Sequence, residues 1–252
     1  MHILTVADFF YPGVTGGASI VVYEVMRRLV QRGHTVTALI RQQAGTPDCI
    51  EGMQVFSYAP PERELFYPLA VKRCVASLHQ LLKDRPFDLI NMHHAFSGLA
   101  VELVRRRPPS AFFFHGPWYR EALANAGMLG RKEEGRLPLP FRLRRGADRF
   151  ILQRCDRVVG LSDYMRGEAE QIFSGTSGKF TKIPGGVDAK RFRLPEDRAK
   201  LRRQLGLPKD GRILLTVRRL SPRMGLENLV RAMAKVEQER EDTVLLIGGI
   251  GE

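Results

Sequence analysis

The chain has 252 residues, of which 44% are hydrophobic and 27% charged, an ordinary balance for a globular protein and enough chain for one large or two modest domains. Forty lysines and arginines against 27 carboxylates leave a formal net charge of +13, which points to an anionic partner: nucleotide phosphates, acidic lipid headgroups or nucleic acid. Three scattered cysteines (Cys49, Cys74, Cys155) without C-x-x-C spacing argue against a disulfide framework or zinc site and favour a reducing, cytoplasmic setting. No apolar run approaches the roughly 18 residues of a membrane span, and the start of the chain reads as a strand, not a signal peptide.

Ile3 to Ala7 is a short apolar run that predicts a first strand. A loop ending in Gly16-Gly17 leads into a helix with Val22, Met26, Leu29 and Val30 on one face, stopped at Gly33, and Thr35 to Ile40 predicts the second strand. This βαβ opening implies a parallel sheet with right-handed crossovers. The glycines do not match G-x-G-x-x-G, which disfavours an NAD site. Bare backbone at Gly16-Gly17 suits either a ligand approaching a helix N-terminus or a tight turn needing positive φ.

Val55 to Tyr58 predicts a third strand, Leu65 to Leu82 a helix, and Asp88 to Met92 a further strand ending at His93-His94. Adjacent histidines on a strand point in different directions, so joint metal chelation is disfavoured; they are placed at a strand's carboxyl edge, where open α/β sheets bind ligands. The apolar run from Ala111 is expected to end at His115, immediately before Gly116-Pro117, placing that imidazole at the same edge. Such a histidine suits a cleft residue bonding a sugar hydroxyl or a structural group bonding a carbonyl.

From Gly130 to Arg157 the sequence is basic and amphipathic, with Arg131, Lys132, Arg136, Arg142, Arg144, Arg145, Arg149, Arg154 and Arg157 interleaved with Leu137, Leu139, Phe141 and Leu143. It suits an anionic bilayer or a solvated helix face. Nucleic acid is disfavoured, since no aromatic stacking platform or known binding motif accompanies the charge. Arg157 to Leu161 predicts a strand, and Ser162 caps the helix that follows. Ala189 to Lys209 is charged and proline-punctuated, a linker with a short helix near Ala199 to Leu205, which places the domain boundary near Arg193.

Ile213 to Val217 predicts a buried parallel strand, and Leu226, Leu229, Val230, Met233 and Val236 have helical spacing. Between them lie Arg218, Arg219, Arg223 and Gly225, with no carboxylate until Glu227. A basic, glycine-ended strand-to-helix loop suits a phosphate; otherwise it is a basic surface loop. A second strand from Thr243 to Ile247 and a glycine-rich stretch from Gly248 follow.

Arg219-Leu220-Ser221-Pro222-Arg223-Met224-Gly225 resembles the R-L-x-P-x-K-G segment of retaining glycosyltransferases of family 4, with Met224 where the usual lysine would stand. Gly16-Gly17, the His115-Gly116 strand end, Ser162-Asp163 and Ile183-Pro184-Gly185-Gly186-Val187-Asp188 resemble other motifs of that family, in family order. The resemblance implies an α/β, GT-B fold: a Rossmann-like parallel-sheet domain over residues 1–193 and the start of a second Rossmann-like domain over residues 194–252. It implies transfer of a hexosyl group from a nucleotide-diphosphate sugar, UDP- or GDP-linked, to a glycan or lipid-linked acceptor with retention of configuration. His115 would contact the transferred sugar, and Gly16, Gly17, Arg219 and Arg223 would hold the donor. No cofactor or metal is expected, since arginines supply the charge; peripheral contact with an anionic membrane is the further partner considered. The family's acidic E-x7-E segment is missing, so the chain is expected to be an N-terminal portion of a longer enzyme. A non-catalytic nucleotide- or glycan-binding module is the alternative.

Overall fold

The computed structural model describes residues 1–12, 16–43, 45–59, 67–128, 137–221 and 224–251. Arg223, Arg131, Lys132 and Arg136, named above, lie outside the described residues, as do Leu65 and Phe66 of the expected helix. The chain forms two compact units, Met1–Gly185 and Gly186–Glu252.

The first unit opens with β1 (His2–Ala7), α1 (Gly17–Gln31) and β2 (Thr35–Arg41), followed by a short β3 (Cys49–Ile50) turning back through Glu51-Gly52 into β4 (Met53–Tyr58). Then come α2 (Tyr67–Asp84), β5 (Leu89–His93), α3 (Ala95–Leu103), β6 (Ser110–Phe113) and α4 (Trp118–Asn125). The unit finishes with α5 (Leu139–Arg154), β7 (Arg157–Gly160), α6 (Asp163–Ile172) and β8 (Phe180–Lys182). The strands form one eight-stranded sheet in the order β3-β4-β2-β1-β5-β6-β7-β8, parallel except for the β3–β4 pair. The α/β, Rossmann-like reading therefore holds.

The two-residue period of the strands sorts the core. Leu4, Val6, Leu39, Ile90, Met92, Phe112 and Phe114 belong to one buried cluster, packed by α2, α3, α5 and α6. Residues of the opposite parity, Ala7, Val36, Ala38 and Ile40, join Val22 and Met26 of α1 in a second cluster. Burying Val22 and Met26 contributes roughly 1.5–3 kcal/mol each. On β5 and β6 the parity opposite the first cluster carries Asn91, His93, Ala111 and Phe113. That parity is what places polar groups on one face of the sheet near its carboxyl edge.

Ser162 caps α6 as expected, its Oγ accepting from the Met165 N–H at 3.3 Å. A salt-bridged network ties the far edge together: Arg107 pairs with buried Glu102 at 2.5 Å and with Asp156 at 2.9 Å, and Asp156 also accepts from the Ser110 N–H. Among the described residues no helix is long and apolar enough to cross a membrane.

The second unit contains α7 (Arg198–Gln204), β9 (Arg212–Val217), α8 (Leu226–Glu239) and β10 (Thr243–Gly248), with β9 and β10 paired in parallel. Asp197 caps α7, and the buried Arg202 guanidinium donates to the carbonyls of Pro208, Lys209 and Gly211, tying α7 to the entry of β9. The strand β9 is parallel but not buried, contrary to expectation: Leu215 and Val217 are 67% and 75% exposed. A sheet of two strands has too few neighbours to cover both faces, and α8 buries none of its residues completely.

Candidate functional site

From β1 the sheet runs through β2 and β4 to one side and through β5, β6, β7 and β8 to the other. The connections therefore reverse between β1 and β5, and open α/β sheets bind ligands outside the carboxyl ends of strands at such a point. Ala7 and His93, the last residues of β1 and β5, are direct partners across it.

Asp8 follows Ala7. Its side chain accepts the Phe96 N–H at 3.2 Å and the Ser97 N–H at 3.0 Å, satisfying the first turn of α3, and takes the Tyr58 hydroxyl at 3.3 Å. Burial pushes the Asp8 carboxyl up to about 7, against the lowering effect of those peptide N–H groups. The group is fully engaged in anchoring α3 to β1.

Three imidazoles gather beside it. His93 is fully buried, stacked on Phe113 with centroids 4.5 Å apart, and its Nδ1 lies 3.1 Å from Nε2 of His115. The His94 ring is 5.6 Å from that of His115 at 28°, and its Nδ1 accepts the Asp8 N–H at 3.3 Å. His94 has φ of 72°, a left-handed conformation rare for a side-chain-bearing residue, and caps α3 from that position. The Ser97 hydroxyl donates to the His93 carbonyl and fixes the same turn. The expected strand end is displaced: β6 stops at Phe113, the Phe114 N–H still pairs with the Val159 carbonyl at 2.8 Å, and His115 lies in the loop just beyond.

Burial lowers the His115 imidazole to about 4. Burial, with His115 alongside, lowers His94 to about 3 and His93 well below its ordinary value. At neutral pH all three rings are uncharged. Neutral imidazoles serve hydroxyl and carbonyl groups well and offer phosphate no charge, so this cluster suits a sugar better than a diphosphate. Among the described residues no group of three or more His, Cys, Asp or Glu side chains is arranged to hold a metal ion.

Gly16 precedes α1 with φ of −174°, and its carbonyl accepts the Ile20 N–H at 3.0 Å and the Ser19 hydroxyl at 2.9 Å. Neither Gly16 nor Gly17 has positive φ, so a tight left-handed turn does not explain the pair. A Cβ on Gly17 would meet nothing within 4 Å among the described residues, and Gly16 as N-cap residue has no side chain to bond the first turn of α1.

In the second unit Arg219 is exposed on the loop between β9 and α8. Gly225 starts α8 in the left-handed region, with φ of 68°. The backbone of this loop is tied to the end of β10 and the residues just after it: the Arg218 N–H donates to the Gly248 carbonyl and the Leu220 N–H to the Ile250 carbonyl, each at 2.9 Å. The Arg218 guanidinium turns back to the Met224 carbonyl at 2.8 Å and the Met224 sulfur at 3.5 Å, so Met224 provides an anchor where the motif has a cation. His115 is thus brought together with His93 and His94, while Arg219 belongs to the other unit. His94 stands at the strand's carboxyl edge as the sequence placed it, whereas Asp8 is not among the sequence candidates; its signal is a lone carboxylate directly after the first apolar strand.

Residues 15–191 match the family described as Glycosyltransferase Family 4, and residues 197–252 match Glycosyl transferases group 1. The chain is 28% identical over 239 residues to a D-inositol 3-phosphate glycosyltransferase of Kineococcus radiotolerans, covering 90% of this chain and 54% of that protein. It is 36% identical over 105 residues to a GDP-mannose-dependent monoacylated alpha-(1-6)-phosphatidylinositol monomannoside mannosyltransferase of Corynebacterium glutamicum, covering 41% of this chain and 27% of that one. Among solved structures, sucrose-phosphate synthase from Thermosynechococcus elongatus superposes with a TM-score of 0.77 at 20% identity, over 99% of this chain and 62% of that one. Anabaena HepE in complex with UDP and glucose gives 0.67 at 19% identity, over 99% and 61%. The chain spans about half the length of the curated relatives it matches. With one family match running from the α1 entry to beyond β8 and a second covering β9, α8 and β10, the chain belongs to glycosyltransferase family 4.

Proposed function

We propose that the chain serves the transfer of a hexosyl group from a UDP- or GDP-linked sugar to a glycan or lipid-linked acceptor, with retention of configuration. The observation that carries this reading is the exposed Arg219 on a loop that delivers the chain to the N-terminus of α8. As the C1–O bond of the donor breaks, negative charge grows on the departing diphosphate. A guanidinium about 4 Å away gains about 1 kcal/mol in bulk water and roughly 4 kcal/mol at an effective dielectric near 20. That attraction is strongest when the charge is fully developed, so it lowers the barrier and not only the ground state. Arg223 is the second donor-binding cation of the proposal. His115 orients the sugar through a neutral hydrogen bond, and the side-chain-free backbone at Gly16 and Gly17 receives donor or acceptor. The scheme requires no cofactor or metal.

The relatives named above for D-inositol 3-phosphate and for GDP-mannose support cyclitol phosphates and phosphoinositides as acceptors to try first. The test is calorimetric titration with UDP and GDP, followed by incubation with radiolabelled UDP- and GDP-sugars plus inositol phosphate. Arg219→Ala is expected to weaken nucleotide binding about 5- to 20-fold, equivalent to 1–2 kcal/mol. Unchanged affinity would refute the assignment.

Binding without turnover is the second reading. Met224 favours it, because the position carries no charge and its carbonyl and sulfur are held by Arg218. Nucleotide binding with no release or transfer of label would select it. A cytoplasmic location with peripheral membrane contact belongs to the same proposal. It is supported by free cysteines and by α5, where Leu139 and Leu143 are 63% and 65% exposed beside exposed Arg142 and Arg145.

A further inference from the structure

His93 is absorbed by none of the roles above, yet it is the most enclosed ionisable group beside the candidate sugar-binding residue. Its ring is wholly buried, is held flat against Phe113, and meets His115 edge to edge, with planes 25° apart and Nδ1 to Nε2 at 3.1 Å. A nitrogen–nitrogen contact of that length between two neutral imidazoles holds one proton, so one ring donates and the other accepts. Which one donates is decided at the far side of His93. Its Nε2 is buried and has no hydrogen-bond partner among the described residues. A proton placed there would be a buried donor with nothing to receive it, whereas an unprotonated nitrogen leaves only an idle lone pair, the more tolerable of the two. The proton therefore resides on His93 Nδ1, and His115 receives it at Nε2.

We propose that His93 is a positioning residue that holds His115 in the Nδ1–H tautomer, so that His115 presents an N–H donor to an oxygen of the bound sugar. The neighbouring ring is fixed by a peptide donor instead: the Asp8 N–H donates to His94 Nδ1, which leaves the neutral His94 proton on Nε2, although that nitrogen too is buried without a partner among the described residues. At His93, by contrast, either tautomer keeps the bond to His115, and only the far nitrogen decides. Both rings are thus set by the protein before any ligand arrives, which spares the site reorganisation during binding. The role assigned to His93 rests on the reading of His115 as a sugar contact, but the tautomer itself does not.

The test is a long-range proton–nitrogen correlation spectrum of the imidazoles in the full chain. His115 is expected to be protonated at Nδ1 and unprotonated at Nε2. In His93→Leu it is expected to become a mixture with Nε2–H populated, while His93→Asn, whose side-chain amide places an N–H where Nδ1–H stood, is expected to keep the wild-type pattern. With a turned-over nucleotide sugar, His93→Leu should lower kcat about tenfold, the loss of one neutral hydrogen bond, with donor KM within about twofold, and His93→Asn should restore it. Nε2–H on wild-type His115, or an unchanged spectrum in His93→Leu, would overturn the proposal. If His93→Leu does not fold, the wild-type and His93→Asn spectra decide. A chain that transfers no sugar yet shows the expected tautomer would count against the proposed function and leave the positioning intact.

Discussion

Replacing Asp8 by asparagine probes the anchor on which the histidine cluster stands. Asp8 accepts two peptide N–H groups of α3 and the Tyr58 hydroxyl, and burial holds its folded pKa at about 7 against an ordinary 3.8. Between those values the folded protein keeps the proton while the unfolded chain gives it up. The contribution of this group to stability is therefore greatest below pH 3.8 and declines as pH rises to about 7. At 1.36 kcal/mol per unit the decline amounts to about 4 kcal/mol. Asparagine does not ionise and carries none of that slope. Its oxygen still accepts one N–H, but its amide nitrogen faces another donor, at a cost of about 1–3 kcal/mol that is nearly independent of pH. Asp8→Asn is therefore expected to be less stable than the wild type at pH 4, with the difference shifting by about 4 kcal/mol and reversing in sign by pH 8. Asp148, buried and also raised to about 7, retains a comparable slope in both proteins. Trp118, the single tryptophan of the chain, sits at the start of α4 and reports on the first unit. Urea unfolding followed by its fluorescence at pH 4, 6 and 8 measures the difference. A gap of the same size at all three pH values would refute the assignment of Asp8 as a buried, proton-retaining anchor.

Gly17→Ala introduces a Cβ that meets nothing within 4 Å, at a position without positive φ, so folding stability should change by no more than about 0.5 kcal/mol. If the α1 N-terminus receives donor or acceptor backbone-first, the same methyl should raise the KM of that ligand about tenfold; unchanged KM for both removes Gly17 from the site. For α5, sedimentation with anionic vesicles should exceed that with neutral ones and fall in the double variant Leu139→Ser, Leu143→Ser. Equal recovery with both vesicle types rules the membrane contact out.

Much of this architecture follows from local pattern. Apolar β-branched runs such as Ile3 to Ala7 and Ile213 to Val217, and helical spacing such as Val22 with Met26, depend on neighbours a few residues apart, so β1, β9 and α1 are legible in the amino acids alone. So are the Ser162 cap and the order of motifs that carries the family resemblance. The helix α3 was not, because its residues Ala95 to Leu103 are nearly all apolar and five are buried, leaving no polar face to set a period.

The site divides along the same line. Composition and motif placed His115 at a strand's carboxyl edge and Arg219 in a basic loop, since both follow from residues adjacent in the chain. Strand order alone brought His93 and His115, 22 residues apart, to 3.1 Å, and laid Asp8 across the start of α3, 88 residues further on. Burial, which no local pattern reports, then made the imidazoles neutral and the Asp8 carboxyl proton-retaining. Spacing along a chain encodes which faces are apolar; which polar groups meet, and how far from water they do so, is set only when the sheet closes its register.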